Sequence, residues 1–585
     1  MRLPNLLATR RGRLAAFFLL YVTEGIPLGF AATAVATQLR RQDVGPAEIG
    51  AFVGSFYLPW AFKWAFGPFI DVFASDRLGR RRGWIIVTQV LMATTLMSTV
   101  LLDLPAQLAL FTGILLVHNT FGAMQDVAID ALACNSLAED ERGLANGLMF
   151  AGASIGQAVG GSGVLFMAAY TGFQPTFFFV SAAILAVTLF VVLPMREAPS
   201  APRVIAAGMS RLRSAGLEMR GFAIESFRSF LGTRGAFVGL AFALLPSGAM
   251  CLGLALQSNL AVELGLNDDQ VAWLNLWSSV ISAAFMVAGG MLSDRFGRRR
   301  TLAIYIALMS LPVLYLMGVL QQYGWVMPVS QKDPNRAVPA VALVTALWVA
   351  TLAYAVAQGL MYGTRSAIFM DVTNPRVAAT QFTAYMALLN LNIAYSSTWQ
   401  GIAVEALGYP QTMLIDAIFG LACLALLPWM KSVRGNQPDG GAAARARFAA
   451  VVLGLACLAW LPYRMNQAAL GAAGPIFETL FTVVFVGAAL FLLAGSVVLS
   501  GSARTLTRAG AWLAPLLLLM FARRWVDALA AALGFAGQGN AFSAAAEMFV
   551  RGVPLIGGVL LFALALQSWR ELHAEPVLEP VARAA

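Results

Sequence analysis

The stretch Asp76–Arg82 reads Asp-Arg-Leu-Gly-Arg-Arg-Arg, and it occurs again at Asp294–Arg300 as Asp-Arg-Phe-Gly-Arg-Arg-Arg. Each copy is a dense basic turn between two long apolar runs. Such a near-identity indicates an internal repeat, and a separation of more than a third of the chain indicates duplicated halves rather than a solenoid. In a membrane protein, duplicated halves are typical of transporters. The alternative is two unrelated basic stop signals at helix ends, which the shared register of the Asp, the Gly and the arginines disfavours.

The composition indicates a protein that lies in a lipid bilayer. Of the 585 residues, 59% are hydrophobic and only 12% are charged, and the mean hydropathy is +0.74. A soluble protein of this size could not bury so much apolar side chain. Apolar runs of about twenty residues recur along the chain, which is the helix length that crosses a hydrocarbon core. Barrel strands would alternate over shorter segments, so we predict an all-α polytopic membrane protein.

The net charge of +10 does not indicate a nucleic-acid partner, because the arginines lie in loops between apolar runs. Arginine in such loops sets the topology of a membrane protein. The four cysteines show neither metal-ligand spacing nor a disulfide framework; they are Cys134, Cys251, Cys423 and Cys457. Because motifs for nucleotide binding, metalloproteases and nucleophile elbows are missing from the sequence, we expect no catalytic residue, no metal and no cofactor. Any uphill transport would draw on an ion gradient.

The apolar runs divide into two sets of six, with further runs after them. The first set lies at about 14–38, 49–72, 84–102, 107–134, 144–170 and 174–195, and the second at about 236–260, 271–293, 301–321, 339–371, 381–407 and 410–430. Four more follow near 448–465, 476–500, 510–534 and 552–569. We predict an N-terminal six-helix bundle (1–195), a basic cytoplasmic linker with amphipathic helical character (196–235), a C-terminal six-helix bundle (236–430), a second linker (431–447), additional transmembrane helices (448–570) and a cytoplasmic tail (571–585).

The placement of arginine predicts that the N-terminus is cytoplasmic. With that orientation, the loops at 77–82, 196–234, 295–300 and 431–447 are all cytoplasmic and all basic, as the positive-inside rule requires. The opposite loops are short or acidic, with Asp103 or with Glu263, Asp268 and Asp269. Arg40 and Arg41 are the one exception.

Ionisable residues inside the spans are the first functional candidates, because burying them in a membrane is costly. Glu24 lies near the middle of the first span, and Asn119, Asp126 and Asp130 share one face of the fourth. Lys63, Asp126 and Arg365 lie at similar depths on helices from both halves. His118 is the only histidine within a span, and we expect it to pack between helices with a hydrogen bond.

We expect Asp126, with Glu24 as the alternative, to be the proton-coupling carboxylate. Lys63 and Arg365 would attract an anionic group of the substrate. The remaining candidate substrate-binding residues are Gln125, Asn119, Tyr362, Asn390 and Gln400. The alternative is that such charges form structural ion pairs between helices, which we favour for Asp71 and Asp130.

Two further patterns concern packing and gating. Gly152, Gly156 and Gly160 repeat every four residues, which predicts close helix packing. The eleventh span is polar, including Asn390 and Gln400, and could line a hydrophilic path. We expect the repeated basic loops to serve the moving interface between the halves; the gating residues are Asp71, Asp76, Arg77, Gly79, Arg80, Arg81, Asp294, Arg295, Gly297 and Arg298.

Several stretches resemble the peptide/acetyl-coenzyme A transporter group of the major facilitator superfamily, which includes the AmpG-type muropeptide permeases. In the first half these are Tyr21–Phe30 (YVTEGIPLGF), Lys63–Asp71 (KWAFGPFID), Gly79–Trp84 (GRRRGW), Gln125–Ala131 (QDVAIDA) and Glu141–Gly143 (ERG). In the second half, Ala379–Phe382 (ATQF) is similar to the permease branch. The resemblance covers roughly 14–430 and is stronger in the first half.

This resemblance implies the major facilitator fold of two six-helix bundles, here with about four extra C-terminal transmembrane helices. It implies a proton-coupled importer of anhydro-muropeptides that works by alternating access in the bacterial inner membrane and serves cell-wall recycling. The expected partners are a small-molecule substrate, protons and the lipid bilayer, with a monomeric transport unit. The alternative substrates are acetyl-coenzyme A and a siderophore. A membrane receptor or a transferase on the same scaffold is the alternative from another class.

Overall fold

The regular elements in the described part of the computed structural model are helices. The described residues are 5–73, 78–137, 141–197, 209–334, 336–373, 378–431, 441–521 and 541–567. Within these ranges, ten helical segments are long and apolar enough to cross a membrane, by length and composition. The prediction of an all-α polytopic membrane protein is therefore confirmed.

The first half begins with a helix that runs from the N-terminal arginines to Arg41. Its helices are α1 (Arg10–Arg41), α2 (Pro46–Ala61), α3 (Phe66–Val72), α4 (Arg82–Ser98), α5 (Leu108–Ser136), α6 (Arg142–Ala158), α7 (Val164–Thr171) and α8 (Pro175–Val192). A short turn at Lys63–Ala65 separates α2 from α3, and a wide helical turn at Val159–Gly163 joins α6 to α7. The second and fifth predicted spans are thus each built from two helical pieces.

The second half follows the linker helix α9 (Arg211–Gly232). Its helices are α10 (Arg234–Leu244), α11 (Ala255–Glu263), α12 (Asp268–Phe296), α13 (Arg298–Gln322), α14 (Val341–Val372), α15 (Ala378–Leu407) and α16 (Tyr409–Trp429).

The seventh span, predicted at about 236–260, is broken between α10 and α11. Pro246 supplies no backbone N–H, and Gly248 adopts a φ of 98°, in a region that L side chains rarely occupy. Side chains from the twelfth and eleventh spans replace the lost helical hydrogen bonds. The Asp416 carboxylate accepts from the backbone N–H groups of Met250 at 2.7 Å and Cys251 at 2.9 Å.

The eleventh span satisfies the other end of the break. Asn392 donates to the Leu245 carbonyl at 2.6 Å, and the Tyr395 hydroxyl donates to the Leu244 carbonyl at 2.5 Å. Because helix ends leave carbonyl groups without intrahelical partners, these bonds explain part of the polarity that the sequence shows in this span.

Helices α1 and α6 approach each other as closely as their backbones allow. A Cβ at Gly156 would lie 2.3 Å from the Val22 carbonyl oxygen. A Cβ at Gly152 would lie equally near the Phe18 oxygen, at 2.3 Å. The contact is reciprocal, since a Cβ at Gly25 of α1 would lie 2.0 Å from the Ala153 oxygen. The predicted glycine packing surface is confirmed.

The two halves meet at the end of the bundle that carries Arg40, which we call the Arg40 end. It lies opposite the repeated basic loops, because α1 starts at Arg10 and reaches Arg41 on the far side. Arg40 is ion-paired with Glu263 of the second half at 2.7 Å. Nearby, α2 and α15 cross closely, since a Cβ at Gly401 would lie 2.3 Å from the Pro46 oxygen.

The chain divides into two compact units: the first contains most of both halves, and the second consists of the described residues of 220–240, 371–382 and 429–585. Its C-terminal helices are α17 (Ala442–Asn466), α18 (Gly474–Val498), α19 (Gly501–Gly510), α20 (Ala514–Phe521) and α21 (Ala541–Leu566). Trp460 of α17 is buried in their core and donates to the Val550 carbonyl of α21 at 2.7 Å. Most of the predicted span at 510–534, and the tail at 571–585, lie outside the described residues.

Candidate functional site

A buried ion pair lies inside the first half, between Lys63 and Asp126. The Lys63 ammonium donates to Asp126 Oδ2 at 2.9 Å, and the Asp126 side chain is only 4% exposed. Lys63 reaches this position because the chain leaves α2 at Ala61 and makes the short turn Lys63–Ala65 before α3. Two of the predicted site residues are therefore direct partners.

Two more carboxyl groups and a phenol complete the cluster. Asp130 lies one helical turn from Asp126 on α5, and its Oδ2 is 4.0 Å from the Lys63 ammonium. The Tyr21 hydroxyl donates to Asp130 Oδ1 at 2.6 Å. Glu24 interacts with both aspartates and with Lys63, and its Oε2 is buried without a hydrogen-bond partner. We call Tyr21, Glu24, Lys63, Asp126 and Asp130 the carboxylate cluster.

The two aspartates of the cluster differ in exposure. The Asp130 side chain is 45% exposed, whereas that of Asp126 is almost fully buried. Asp130 is also the nearer of the two to the end of α5, at Ser136. Asp130 is therefore the more accessible of the two carboxylates.

Gln125 and Asn119 make helix-to-helix hydrogen bonds in this structure. Gln125 donates to the Thr23 hydroxyl at 3.0 Å, and Asn119 donates to the Phe56 carbonyl at 2.9 Å. Both side chains are fully buried. His118 lies close to the Met92 carbonyl, with its Nδ1 2.9 Å from that oxygen, so its predicted hydrogen-bonded packing role is confirmed.

The candidates of the second half each contact a different partner within that half. The Arg365 guanidinium stacks over the Tyr362 ring at 4.4 Å, and its Nε is buried without a partner. Asn390 donates to the Met386 carbonyl of its own helix at 3.1 Å. Gln400 donates to Asp416 at 2.6 Å. The structure thus brings Lys63, Asp126 and Glu24 together, and places Arg365 with Tyr362 on the other half.

Within the described ranges, no group of three or more His, Cys, Asp or Glu residues is arranged to hold a metal ion, so we assign no metal site. The arrangement instead offers buried acids beside a cation in one half and an arginine–tyrosine pair in the other. Such a pattern can bind a charged solute and exchange protons, since intramembrane ionisable groups usually mark solute or proton pathways.

Comparisons with known proteins give one consistent result. The family model of the Major Facilitator Superfamily matches residues 14–248. The chain is 22% identical over 423 residues to the anhydromuropeptide permease of Escherichia coli strain K12, covering 71% of this chain and 79% of that protein. It is 26% identical over 408 residues to an uncharacterized protein of Haemophilus influenzae, covering 68% of this chain and 91% of that one.

Solved structures agree on the fold. A crystal structure of a D-xylose-proton symporter matches with a TM-score of 0.53 at 14% identity, covering 72% of this chain and 98% of that one. A transporter of the POT family in complex with 5-aminolevulinic acid matches with a TM-score of 0.54 at 10% identity, covering 72% and 96%. The chain is therefore similar to transporters of the major facilitator superfamily, over residues 14–248 in the family model and over 71% of its length in the named permease.

More than a quarter of this chain lies outside that structural match, although the solved proteins are covered almost completely. The expected fold of two bundles with extra helices is confirmed. The protein is a multi-pass membrane transporter of a small molecule and not an enzyme.

Sequence reasoning missed two groups of polar residues in this transporter. Asp416, with Gln400, holds the break in the seventh span, and Tyr354 donates to the Ala249 carbonyl at 2.9 Å. The available signals were the Pro246–Gly248 segment and an aspartate within an apolar span. The second group is Arg40 with Glu263. The available signal was an arginine on the acidic side of the membrane, which does not by itself indicate its partner.

The glycines of the two repeated loops adopt matching φ angles. Gly79 has a φ of 90° and Gly297 a φ of 92°, so both copies need glycine at this turn. In the first copy, the Glu197 carboxylate accepts from the backbone N–H of Arg81 at 3.0 Å. In the second copy, Arg298 is ion-paired with Asp294 at 2.9 Å. Asp76, Arg77 and the side chain of Asp71 lie outside the described part of the chain.

Proposed function

We propose that this transporter imports anhydro-muropeptides by proton-coupled alternating access. The bacterial inner membrane would be its location, with a cytoplasmic N-terminus and a monomer as the transport unit. The observation that carries the coupling is the buried Lys63–Asp126 pair within the carboxylate cluster. The substrate class is supported by the permease of Escherichia coli, whose name specifies anhydromuropeptide.

The charge balance of the cluster favours proton binding. Its three carboxyl groups surround one ammonium group, so full ionisation would leave a net negative charge in a poorly solvated site. Neighbouring carboxylates disfavour each other's ionisation, and a proton taken up by such a site belongs to the group rather than to one residue. The cluster is therefore suited to take up and release a proton.

Lys63 offers a link between the substrate and the proton. A muropeptide carries carboxylate groups, and one of these would compete with Asp126 for the Lys63 ammonium. Asp126 would then lose its counter-charge in a buried position and would bind a proton. Arg365 and Tyr362 would contact the same substrate from the second half, with Asn390 and Gln400 on the eleventh span.

The contact between the two halves indicates which parts of the protein would move during transport. In this structure the Arg40 end is closed by a buried ion pair, which corresponds to the periplasmic side in the proposed orientation. Import requires that this seal opens and that the opposite end closes. The repeated loops around Gly79 and Gly297 would change their contacts in that step, as the proposed gating residues.

The test is uptake into sealed vesicles that contain the full chain, with and without an imposed pH gradient. Asp126→Asn alone removes the nearest counter-charge of the buried Lys63, so the informative variant is Lys63→Gln together with Asp126→Asn. This variant should lose gradient-driven accumulation of anhydro-muropeptide, because the proton site is gone, while the protein remains folded. Accumulation equal to the parent would remove Asp126 and Lys63 from coupling.

Asp103→Asn is the control, since it removes an exposed carboxylate that lies outside the carboxylate cluster. We expect it to retain the response to the pH gradient. Parallel assays with acetyl-coenzyme A and with a ferric siderophore test the substrate class. Uptake of either one, without uptake of anhydro-muropeptide, would overturn the proposed substrate and leave the transport mechanism to be tested on that solute.

A further inference from the structure

The C-terminal helices contact the linker that connects the two halves. On the linker helix α9, Ile224, Phe227 and Leu231 are spaced three and four residues apart, so they form one stripe. Leu231 is buried in the hydrophobic core of the C-terminal helices, and Phe227 packs against that core. The Phe227 ring meets the Phe491 ring of α18 edge-on, with centroids 5.4 Å apart.

A charged side chain also caps the end of the linker helix. Arg445 of α17 donates from Nε to the Leu231 carbonyl at 2.7 Å. The last carbonyl groups of a helix carry a partial negative charge and lack helical partners. A guanidinium group at this position therefore stabilises the C-terminus of α9.

The start of the second half continues the same contact surface. The Phe237 ring of α10 meets the Phe448 ring of α17 edge-on at 6.3 Å. The Arg234 guanidinium lies over the Trp429 ring at 5.6 Å, and a Cβ at Gly235 would lie 2.6 Å from the Lys431 carbonyl oxygen. The contacts from Phe227 to Phe237 thus extend from the linker into the first helix of the second half.

We propose that the additional C-terminal helices act as a clamp for the linker, which keeps α9 folded and fixes the point where α10 begins. A basic amphipathic helix can also be held at a membrane surface by lipid. The clamp is favoured here because the stripe of α9 is buried against protein side chains, and because Arg445 caps the helix end. The clamp gives the extra helices a role that does not depend on the identity of the substrate.

Limited trypsin digestion of the purified full-length protein in detergent tests the clamp without measuring transport. Cleavage after Arg220 or Arg228 requires local opening of α9, so its rate follows the opening equilibrium when reclosing is fast. Losing one such side-chain contact shifts the equilibrium between closed and open α9 by roughly 5- to 30-fold. Phe227→Ala and Arg445→Ala should therefore each raise cleavage at these sites by about that factor, and Phe227→Leu by less.

Matched controls come from the same unit. Phe477→Ala removes a ring from an exposed position on α18, and Arg508→Ala removes an exposed arginine from α19. Both should leave the cleavage rate of α9 unchanged. The clamp is overturned if Phe227→Ala and Arg445→Ala digest at the parental rate, which would indicate a helix held by the micelle, or if the controls rise equally, which would indicate general loosening.

Discussion

Arg40 and Glu263 form a buried ion pair between the two halves, with side chains 3% and 0% exposed and 2.7 Å between Arg40 Nη2 and Glu263 Oε1. The Tyr409 hydroxyl donates to the same carboxylate oxygen at 2.6 Å, and the Val329 N–H donates to the other at 3.2 Å. A buried pair with its remaining hydrogen bonds satisfied resists the loss of either partner. This pair is therefore the strongest polar constraint that we identify at the Arg40 end.

Removing the carboxylate should open that end. Glu263→Gln leaves Arg40 buried without its counter-charge, a change that costs about 3–5 kcal/mol in buried pairs. The state in which the Arg40 end is closed should become less populated. A cysteine introduced at Val44, which is buried beside Arg40, should then react with a membrane-impermeant maleimide at least about tenfold faster.

The neighbouring pair is the control for this prediction. Arg41 and Asp268 are also 2.7 Å apart, but their side chains are 30% and 25% exposed. Exposed pairs contribute about 0–1 kcal/mol, so Asp268→Asn should change the labelling rate only slightly. Equal effects of the two variants would contradict a special role for Arg40 and Glu263.

The contact between α1 and α6 predicts a strong dependence on the missing side chain of Gly156. A Cβ there would lie 2.3 Å from the Val22 oxygen, and overpacking of this kind costs about 1–3 kcal/mol. Gly156→Ala should therefore lower the melting temperature of the purified protein. Gly147→Ala on the same helix meets nothing within 4 Å and should be neutral or stabilising; a similar loss in both variants would refute the packing explanation.

The break in the seventh span should depend on the orientation of Asp416. Its Oδ2 accepts from two backbone N–H groups and its Oδ1 from Gln400. Asp416→Leu removes the acceptor of both backbone N–H groups and of the Gln400 amide, and an unsatisfied buried group costs about 1–3 kcal/mol. The melting temperature should fall in this variant. It should fall less in Asp416→Asn, because the asparagine keeps an oxygen for the N–H groups and the Gln400 amide can turn to accept from its NH2 group. Equal losses in the two variants would argue against the proposed hydrogen-bond pattern.

The loop residue Asp43 should contribute to stability in a pH-dependent way. Burial alone would raise the pKa of its carboxyl, but hydrogen bonds from Ser330 and Gln331 and the nearby charges of Arg40 and Lys332 outweigh it, so the pKa is lowered. A lowered pKa in the folded state stabilises the protein above the ordinary value of 3.8 and loses that effect as the pH falls below it.

Asp43→Asn removes this contribution at every pH. The melting temperature of the parent should exceed that of the variant by a constant margin from neutral pH down to about the ordinary pKa of an aspartate. Below that value the margin should shrink. A margin that grows as the solution is acidified would have the opposite sign and would contradict the assignment.

Part of this architecture followed from local sequence patterns. The repeated basic loops predicted duplicated halves, and the matching φ angles of Gly79 and Gly297 agree with that duplication at the backbone level. The seven- and four-residue spacing of Asn119, Asp126 and Asp130 placed them on one face of α5. Helical periodicity and small-residue spacing are set by neighbours in sequence, which is why these predictions were possible.

The pairing of charges could not be predicted in the same way. The sequence places Lys63 and Asp126 at similar depths, but it does not show that the two side chains pair across 63 residues. Arg40 pairs with Glu263, which lies 223 residues further along the sequence. Proline and glycine are frequent in transmembrane helices, so Pro246 and Gly248 alone did not indicate a break. The deciding partner, Asp416, comes from the twelfth span and is fixed only by tertiary packing.

The separation of Arg40 from Glu263 also has a consequence for membrane insertion. In the proposed orientation, Arg40 and Arg41 must be translocated while the first span is inserted. Glu263 has not been synthesised at that moment, so the pair that neutralises Arg40 in the finished protein is not yet available. The arginines before the first span, Arg10, Arg11 and Arg13, must therefore outweigh Arg40 and Arg41 in orienting the nascent chain. Glu263 supplies the counter-charge only after the second half has been synthesised and its bundle packs against the first.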